Sequence, residues 1–424
     1  MSSPPATPPP PVAGPLPDIR SQTLEDLRGQ FALWREPAYR VSQLLEWLYT
    51  HRVTTWDAMS NLPKALRQRL QQTWSLYSLQ LARAQGADDT TQKFLWRLAD
   101  GAFIETVLIP ASPAMRGEPS DRRTLCVSTQ VGCAYGCRFC ASGLEGWKRN
   151  LLPEEIVEQV LAVERRHAGS QQAATKPDGA GEERRIQTDA APMQPSDSLA
   201  PRSGERVRER GSFNSTGTAP NGTQDRLISN LVIMGMGEPL ANYENLMRAL
   251  RILNAPWGGG IGARKITIST SGLAPQIRRL ADEPPQYRLA ISLHGATDET
   301  RGRIMPVNKK YPLAELAAAA AYYQEKKGRM ITLEYILIAG VNDGLDQIKP
   351  LAALARRLSA KVNLIPYNKV EGLPWARPEE AAQEQFLAAL EREKVSATLR
   401  REKGGEIEAA CGQLRLKTER ELRA

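Results

Sequence analysis

Apolar residues recur every three or four positions in the first part of the chain, from about Thr23 to Leu70. This is the period of amphipathic α-helices, whose apolar faces are buried against one another. Proline interrupts the pattern at Pro37, where we expect a connection between helices. The spacing therefore predicts a small helical accessory domain over residues 19–84.

A different period follows this domain. Residues 93–98 and 102–109 alternate between apolar and polar positions, and Asp100-Gly101 lies between the two runs. Alternation with a period of two is typical of β-strands, and an Asp-Gly pair is typical of a tight type I′ turn. We therefore predict a β-hairpin within an extension over residues 85–118.

Short apolar runs then alternate with stretches of helical periodicity, which predicts six βα units. The predicted strands cover residues 124–131, 227–234, 265–270, 288–293, 330–338 and 361–366. The predicted helices cover residues 153–166, 243–253, 274–281, 313–326, 345–358 and 379–392. Such a succession forms a parallel sheet, open or closed into a barrel, here over residues 119–403. Motifs at the C-terminal ends of its strands are the first candidates for a functional site.

Three segments lack this periodicity. Residues 1–18 are rich in proline, which favours extended conformations without a core, so we predict a disordered tail. Residues 168–226 are dominated by small and polar residues, which predicts a disordered insertion after the first helix of the barrel. Residues 404–424 begin with a glycine-flanked stretch, which predicts a mobile C-terminal loop.

The charge balance indicates the kind of partner. The chain has 56 Lys and Arg residues against 47 Asp and Glu residues, a net charge of +9 and a pI of about 9.3, which favour a polyanionic partner. No apolar run reaches the roughly 18 residues that a membrane helix needs, and the N-terminus has no signal-peptide pattern. We therefore expect a cytoplasmic protein without membrane association.

Four of the five cysteines lie between residues 126 and 140. An odd number of cysteines, mostly in one loop, favours metal-binding or catalytic thiols over a disulfide framework. Cys133, Cys137 and Cys140 form a C-x-x-x-C-x-x-C array, which is one ligand short of a closed zinc site. Three cysteines can instead hold a four-iron cluster and leave one iron open to a ligand that is not protein. A zinc knuckle and buried, unligated cysteines are the alternatives.

Polar groups recur at the predicted strand ends. Gly235-Met-Gly-Glu-Pro places a flexible backbone and the carboxylate of Glu238 after one strand. The segments Ser269-Thr-Ser-Gly, Ser292-Leu-His and Leu364-Ile-Pro-Tyr-Asn end three others. Helix capping by Ser and Asn would explain any single one of these groups equally well. Their recurrence at successive strand ends favours one shared polar ligand.

Two cysteines and one carboxylate stand outside these motifs. Cys126 precedes the three-cysteine array, and Cys411 lies in the late glycine-flanked stretch. Two such thiols could act near the site as a nucleophile and its resolving partner. Glu105 is a lone carboxylate in a predicted strand, and the sequence alone favours a solvated surface position for it.

The three-cysteine array, with Phe139 before its third cysteine, resembles the signature of radical S-adenosylmethionine (SAM) enzymes. Together with the strand-end motifs and Cys411, it resembles the RlmN/Cfr family of RNA methyltransferases, and within it the dual-specificity adenine-C2 enzymes. The resemblance implies a partial (β/α)6 radical SAM barrel with an N-terminal helical domain that binds RNA. It also implies one [4Fe-4S] cluster and two SAM molecules per turnover, one as methyl donor and one as radical source.

The resemblance also implies a role for each motif residue. The cluster would be ligated by Cys133, Cys137 and Cys140. SAM would be bound by Gly237, Glu238, Ser269, Ser292, Leu293, His294 and Asn368. Cys411 would carry the methyl group as S-methylcysteine, and Glu105 would accept the proton of the adenine ring. Cys126 would resolve the covalent adduct through a transient disulfide with Cys411.

The implied substrates are an adenosine of 23S rRNA in the peptidyl transferase region and the adenosine next to the anticodon in some tRNAs, with an electron donor such as flavodoxin. Candidates for phosphate contacts are Arg122, Arg123, Arg138, Lys148, Arg149, Arg301, Arg303, Lys309 and Lys310. Two alternatives stay open on the sequence: a Cfr-type enzyme that methylates adenine C8, and a metal-stabilised RNA-binding protein without catalysis.

Overall fold

The computed structural model of the protein describes residues 16–86, 90–110, 122–174, 226–400 and 412–423. The chain divides into two units, one of Met1–Arg166 with Arg226–Ala424 and the other of His167–Asp225. Most of the predicted proline-rich tail, most of the predicted insertion and Cys411 lie outside the described residues. None of the helices in the described ranges is long and apolar enough to cross a membrane.

Three helices form the N-terminal region: α1 (Leu24–Leu33), α2 (Tyr39–Leu45) and α3 (Lys64–Thr73). Helix α1 begins at a capping box, in which the side chains of Thr23 and Asp26 each accept the backbone N–H of the other residue. The apolar residues that recur at helical spacing are buried between the helices, as the sequence predicted.

Three antiparallel strands follow: β1 (Gln80–Gln85), β2 (Gln92–Arg97) and β3 (Phe103–Pro110). The hairpin of β2 and β3 confirms the predicted pair of strands, but the predicted turn type is wrong. Gly101 has a φ of +84° whereas Asp100 keeps a negative φ, and a type I′ turn requires a positive φ at both central residues. The polar edge strand β1 was missed, because its exposed residues do not alternate.

The strands from β4 onward complete this sheet and form a second, smaller one. In chain order they are β4 (Arg123–Cys126), β5 (Gln130–Gly132), β6 (Trp147–Asn150), β7 (Asn230–Ile233), β8 (Ile266–Thr270), β9 (Arg288–Ser292), β10 (Thr332–Leu337), β11 (Lys361–Pro366) and β12 (Ala397–Leu399). One sheet has the order β1-β2-β3-β4-β7-β8-β9-β10-β11-β12, and β5 pairs with β6 in a second sheet. All pairs from β4 to β12 in the large sheet are parallel.

The helices of the barrel and the C-terminus are α4 (Pro153–Ala174), α5 (Tyr243–Asn254), α6 (Ala274–Asp282), α7 (Asp298–Ile304), α8 (Leu313–Lys327), α9 (Ile348–Arg357), α10 (Glu380–Arg392) and α11 (Gln413–Arg423). The alternation of strands and helices confirms the predicted partial (β/α)6 barrel with a helical N-terminal region. The structure differs from the prediction at the C-terminus, where α11 occupies most of a stretch expected to be a loop.

The predicted strand 124–131 is divided into β4 and β5 by a short irregular segment that contains the polar residues Ser128 and Thr129. Ser128 donates its backbone N–H to Gln159 Oε1 at 2.8 Å, and the N–H groups of Thr129 and Gln130 bind the carbonyl of Met236 at 2.8 and 3.2 Å. These backbone groups are therefore satisfied outside the sheet ladder, which allows the chain to leave the sheet after Cys126. The loop that follows can then face the ends of the parallel strands.

A buried ion pair connects the N-terminal region to α4. Arg20 Nη1 lies 2.6 Å from Glu158 Oε2, and both side chains are fully buried. Arg20 also binds the carbonyls of Val53 and Tyr77, and Arg165 shares the carboxylate of Glu158. Buried charges are tolerated only when they are paired and hydrogen-bonded in this way.

We expect Glu158→Gln to lower the free energy of unfolding by about 3–5 kcal/mol, because the buried guanidinium of Arg20 loses its counter-charge. The matched control is Glu244→Gln, which removes an ion pair with Arg279 at 2.5 Å in which both side chains are largely exposed. Urea unfolding followed by circular dichroism measures both variants. Equal midpoints for the two variants would contradict the importance of the buried pair.

Candidate active site

The three-cysteine loop is anchored by its backbone. Cys133 donates its N–H to the carbonyl of Gly146 at 3.2 Å, and Cys140 donates to that of Cys137 at 3.1 Å. The Nε1–H of Trp375 binds the carbonyl of Arg138 at 2.8 Å. The three thiols line one cavity, as the spacing of the array required.

Burial disfavours the thiolate form of the cysteines in this loop. Burial raises the pKa of Cys133 to about 12, and burial and then the neighbouring thiols raise the pKa of Cys137 well above its ordinary value. A positive centre is therefore needed to hold these groups as thiolates, the form in which cysteine binds metals. In the described ranges no three His, Cys, Asp or Glu side chains converge closely enough for a single metal ion.

The glycines after β7 allow the backbone to approach the cysteine loop closely. Gly237 has a φ of +100°, and a Cβ added there would lie 2.5 Å from Gln130 Cβ. A Cβ on Gly235 would lie 2.6 Å from the carbonyl carbon of Val127. Only glycine fits both the conformation and the space at position 237, so this loop forms a narrow cradle for a ligand.

Glu238 directly follows Gly237 in this loop and is buried. Its Oε2 accepts the backbone N–H of Ser271 at 2.6 Å and its Oε1 accepts that of Leu240 at 3.1 Å. Burial raises the pKa of Glu238, and these hydrogen bonds partly oppose the rise. A carboxylate oxygen has two lone pairs, so Glu238 retains the capacity to accept from a bound ammonium group.

The strand ends of β8 and β9 supply further polar groups. The hydroxyls of Ser269 and Ser292 lie 3.4 Å apart. His294 has a positive φ of +57°, and burial, with the nearby charge of Arg301, lowers its pKa to about 3. Its Nδ1 accepts the N–H of Ile336 at 3.0 Å, so the neutral imidazole carries its proton on Nε2, where it can donate to a ligand.

One cavity of about 320 Å³ brings most of the predicted site residues together, a volume at the lower end of small-molecule sites. Its lining includes Cys133, Cys137, Cys140, Gly237, Glu238, Ser269, Ser292 and His294. Two predicted SAM contacts are not among the lining residues. Leu293 is buried and its N–H binds the carbonyl of Glu334, while Asn368 is half-buried beyond the end of β11.

The lining also includes polar residues that were not predicted, among them Glu334, Asn363 and Arg400. Glu334 and Asn363 are register partners in β10 and β11, and Asn363 Nδ2 donates to Glu334 Oε2 at 2.7 Å. Burial raises the pKa of Glu334. A carboxylate inside the otherwise apolar strand Thr332–Leu337 is the signal that could have identified this pair.

Glu105 is buried, so the interpretation as a solvated surface group is wrong. In the antiparallel register, Val107 of β3 faces both Lys93 of β2 and Cys126 of β4. Residues two apart on a strand share a face, as do directly opposed residues. Lys93, Glu105 and Cys126 therefore project from the same face of the sheet, which α11 covers through Leu414.

Cys411 lies outside the described residues, so its position relative to Cys126 stays a prediction. The structure gives no support to the predicted disulfide between them. The next residue, Gly412, has a φ of +89°, and a Cβ there would lie 2.8 Å from the backbone nitrogen of Ser142. Gly412 thus lies directly against the segment that follows Cys140.

One of the predicted phosphate contacts is wrong. Arg301 is fully buried and binds the carbonyls of Leu293 and Ser271 and the side chain of Asn308. Burial lowers its pKa to about 10. Exposed candidates near the cysteine loop and α7 are Arg138, Arg303, Lys309 and Lys310.

Known proteins match both parts of the chain. The family model described as "Ribosomal RNA large subunit methyltransferase N-terminal domain" matches residues 18–76, and the one described as "Radical SAM superfamily" matches residues 223–352. A protein of Opitutus terrae named "Probable dual-specificity RNA methyltransferase RlmN 3" is 50% identical over 405 residues, which are 96% of each chain. A protein of Akkermansia muciniphila named "Probable dual-specificity RNA methyltransferase RlmN" is 44% identical over 96% of this chain and 98% of its own.

A solved structure matches as well. The crystal structure of a radical SAM methyltransferase from Sphaerobacter thermophilus has 38% sequence identity and a TM-score of 0.75. The match covers 94% of this chain and 98% of that one. The likeness therefore extends over the helical region and the barrel together.

We expect Gly237→Ala to weaken SAM binding about tenfold or more, because the new Cβ collides with Gln130 and displaces the cradle. Gly340→Ala is the matched control, since Gly340 also has a positive φ but no heavy atom lies within 4 Å of an added Cβ. Equilibrium binding of SAM to anaerobically prepared protein measures both. A similar loss in the two variants would attribute the effect to backbone strain and contradict a role for the cradle.

Proposed function

Because the chain belongs to the RlmN family of radical SAM RNA methyltransferases, we propose that it methylates carbon 2 of adenosine in two kinds of RNA. The proposed substrates are an adenosine of 23S rRNA in the peptidyl transferase region and the adenosine next to the anticodon in some tRNAs. The observation that carries the proposal is the single cavity shared by the three thiols and the polar strand ends. The net charge of +9 supports an RNA substrate.

The residues of the cavity fit a [4Fe-4S] cluster and SAM. Cys133, Cys137 and Cys140 would hold the cluster, and the Gly237–Glu238 cradle would accept the amino group of the methionyl moiety. The hydroxyls of Ser269 and Ser292 and the Nε2–H of His294 are the further polar contacts that we propose. When bound, the cluster and SAM supply a methyl group and a radical that removes a hydrogen atom from a methyl group.

The chain's own residues would carry the transfer to RNA. The sulfur of Cys411 would take the methyl group and lose its thiol proton. After the S-methyl group loses a hydrogen atom, its carbon would bond to C2 of the adenine, and the ring radical so formed would give up one electron, for which the bound cluster is the acceptor. Glu105 would remove the ring proton at C2. The thiolate of Cys126 would then attack the sulfur of Cys411 and break its bond to the methylene carbon. That carbon would stay on adenine and take up a proton to become the methyl group, while the two sulfurs form a disulfide that reductants reset.

The common face of Glu105 and Cys126 supports this division of roles. A base and a resolving thiol for one adduct must be reachable from the same side. Two SAM molecules per turnover and an electron donor such as flavodoxin complete the proposed reaction, which we place in the cytoplasm with its RNA substrates.

We expect expression of the protein in a host that lacks this modification to introduce 2-methyladenosine into 23S rRNA and tRNA. Mass spectrometry of nuclease digests separates 2-methyl- from 8-methyladenosine by chromatography against standards. Cys411→Ala should abolish the product because the methyl carrier is lost. Detection of 8-methyladenosine alone would favour the Cfr-type reaction and overturn the proposed one.

We further expect anaerobically purified protein to contain iron and sulfide rather than zinc, with loss of both in Cys137→Ala. Cys126→Ala should retain the cluster and accumulate a covalent protein–RNA crosslink, because no thiol releases the adduct. Metal analysis and denaturing gels measure the two effects. Zinc in the purified protein would support a metal-stabilised RNA-binding protein without catalysis, and an intact cluster without any crosslink would contradict the resolving role of Cys126.

A further inference from the structure

The carboxylate of Glu105 binds the beginning of α11. Its Oε2 accepts the backbone N–H of Gly412 at 2.8 Å, and its Oε1 accepts that of Arg415 at 2.7 Å. The first N–H groups of a helix have no acceptor within the helix, and a negative charge there also interacts favourably with the helix dipole. Glu105 thus caps a helix that begins just after Gly412, which lies 307 residues later in the chain.

This cap is buried together with its counter-charge. Lys93 Nζ lies 3.6 Å from Glu105 Oε2, and each side chain is only 1% exposed. Hydrogen bonds to a charged acceptor are stronger than those between neutral groups. Because water does not reach this carboxylate, the N–H groups of Gly412 and Arg415 are its hydrogen-bond donors. The attachment of α11 therefore depends on the side chain of Glu105.

Apolar packing completes the attachment on both sides of the cap. Leu414 is fully buried and forms a small cluster with Leu95 and Phe103 on the face of the sheet. Gly412 packs against Ser142, where any side chain would collide with the backbone. The start of α11 is therefore held between β3 and the end of the cysteine loop.

We infer that Glu105 is a positioning residue for the C-terminal segment, in addition to its proposed role as proton acceptor. Its carboxylate, balanced by Lys93, docks the start of α11 and so fixes the position of Gly412, the residue that follows Cys411 in the sequence. The inference rests on the proposed function, since it concerns the segment that would present the methyl carrier. The contacts that carry it belong to described residues alone.

Hydrogen–deuterium exchange of the full-length, anaerobically prepared protein tests this inference without RNA or SAM. In Glu105→Ala, the amides of peptides covering residues 412–416 should exchange about tenfold faster or more, because their acceptor is lost. Exchange in β8 should be unchanged, which separates local positioning from general destabilisation. Glu105→Gln should give an intermediate rate, because one carbonyl oxygen remains as an acceptor.

The matched control is Glu371→Gln. Glu371 binds Arg420 of the same helix at 2.8 Å, but through an exposed ion pair, so exchange at residues 412–416 should change less than threefold. Glu105→Ala leaves the buried Lys93 without its counter-charge and could prevent folding for that reason alone. The double variant Glu105→Ala/Lys93→Met removes both charges and should show the same fast exchange at residues 412–416. Unchanged exchange at residues 412–416 in the folded Glu105 variants, or equal acceleration in β8, would overturn the inference.

The two hypotheses fail separately. If the wild-type protein introduces no 2-methyladenosine while the Glu105 variants show local acceleration, the proposed function is wrong and the docking role is retained. If methylation occurs and the exchange rates do not respond to Glu105, the docking role is wrong and the proposed function is retained.

Discussion

The hydroxyl of Ser128 connects the two parts of the site, which are strand β3 with Glu105 and the glycine loop after β7. It donates to the carbonyl of Glu105 at 2.6 Å and accepts the N–H of Met236 at 2.9 Å. Gln159 satisfies the backbone of Ser128 on both sides. A buried network of this kind is stable only when every member is paired. The hydrogen bonds of Ser128 therefore fix the positions of β3 and of the glycine loop after β7 relative to the chain that follows β4. The cofactor cavity and the face that carries Cys126 depend on this network.

Two buried carboxyls of the cavity can interact favourably with a cationic ligand. Glu238 and Glu334 are buried carboxyls whose pKa values are raised by burial, and His294 stays neutral because its pKa is lowered to about 3. The positive charges of a ligand with a sulfonium and an ammonium group would stabilise the ionised form of these buried carboxyls. The same argument explains why a neutral imidazole is useful there, since a protonated one would repel the ligand.

The parts of the site that follow local rules could be predicted from the sequence. The cysteine spacing and the groups after β7, β8 and β9 needed only the assignment of strands, because parallel strands end at one edge. Glu334 and Asn363 were missed because their contact depends on the register of two strands 29 residues apart. The burial of Glu105 depends on a helix 307 residues away, and the burial of Arg301 on the loop carbonyls that surround it.

The burial of Glu105 also constrains the order of events. A side chain that is 1% exposed and bound to two N–H groups of α11 cannot contact an adenine ring. For Glu105 to act as the proposed proton acceptor, the start of α11 would have to leave β3 first. Cys126 lies on the same face of the sheet, so the proposed base and the proposed resolving thiol share one side of β3 and β4. The two roles proposed for Glu105, docking α11 and accepting a proton, therefore require two different arrangements of the start of α11.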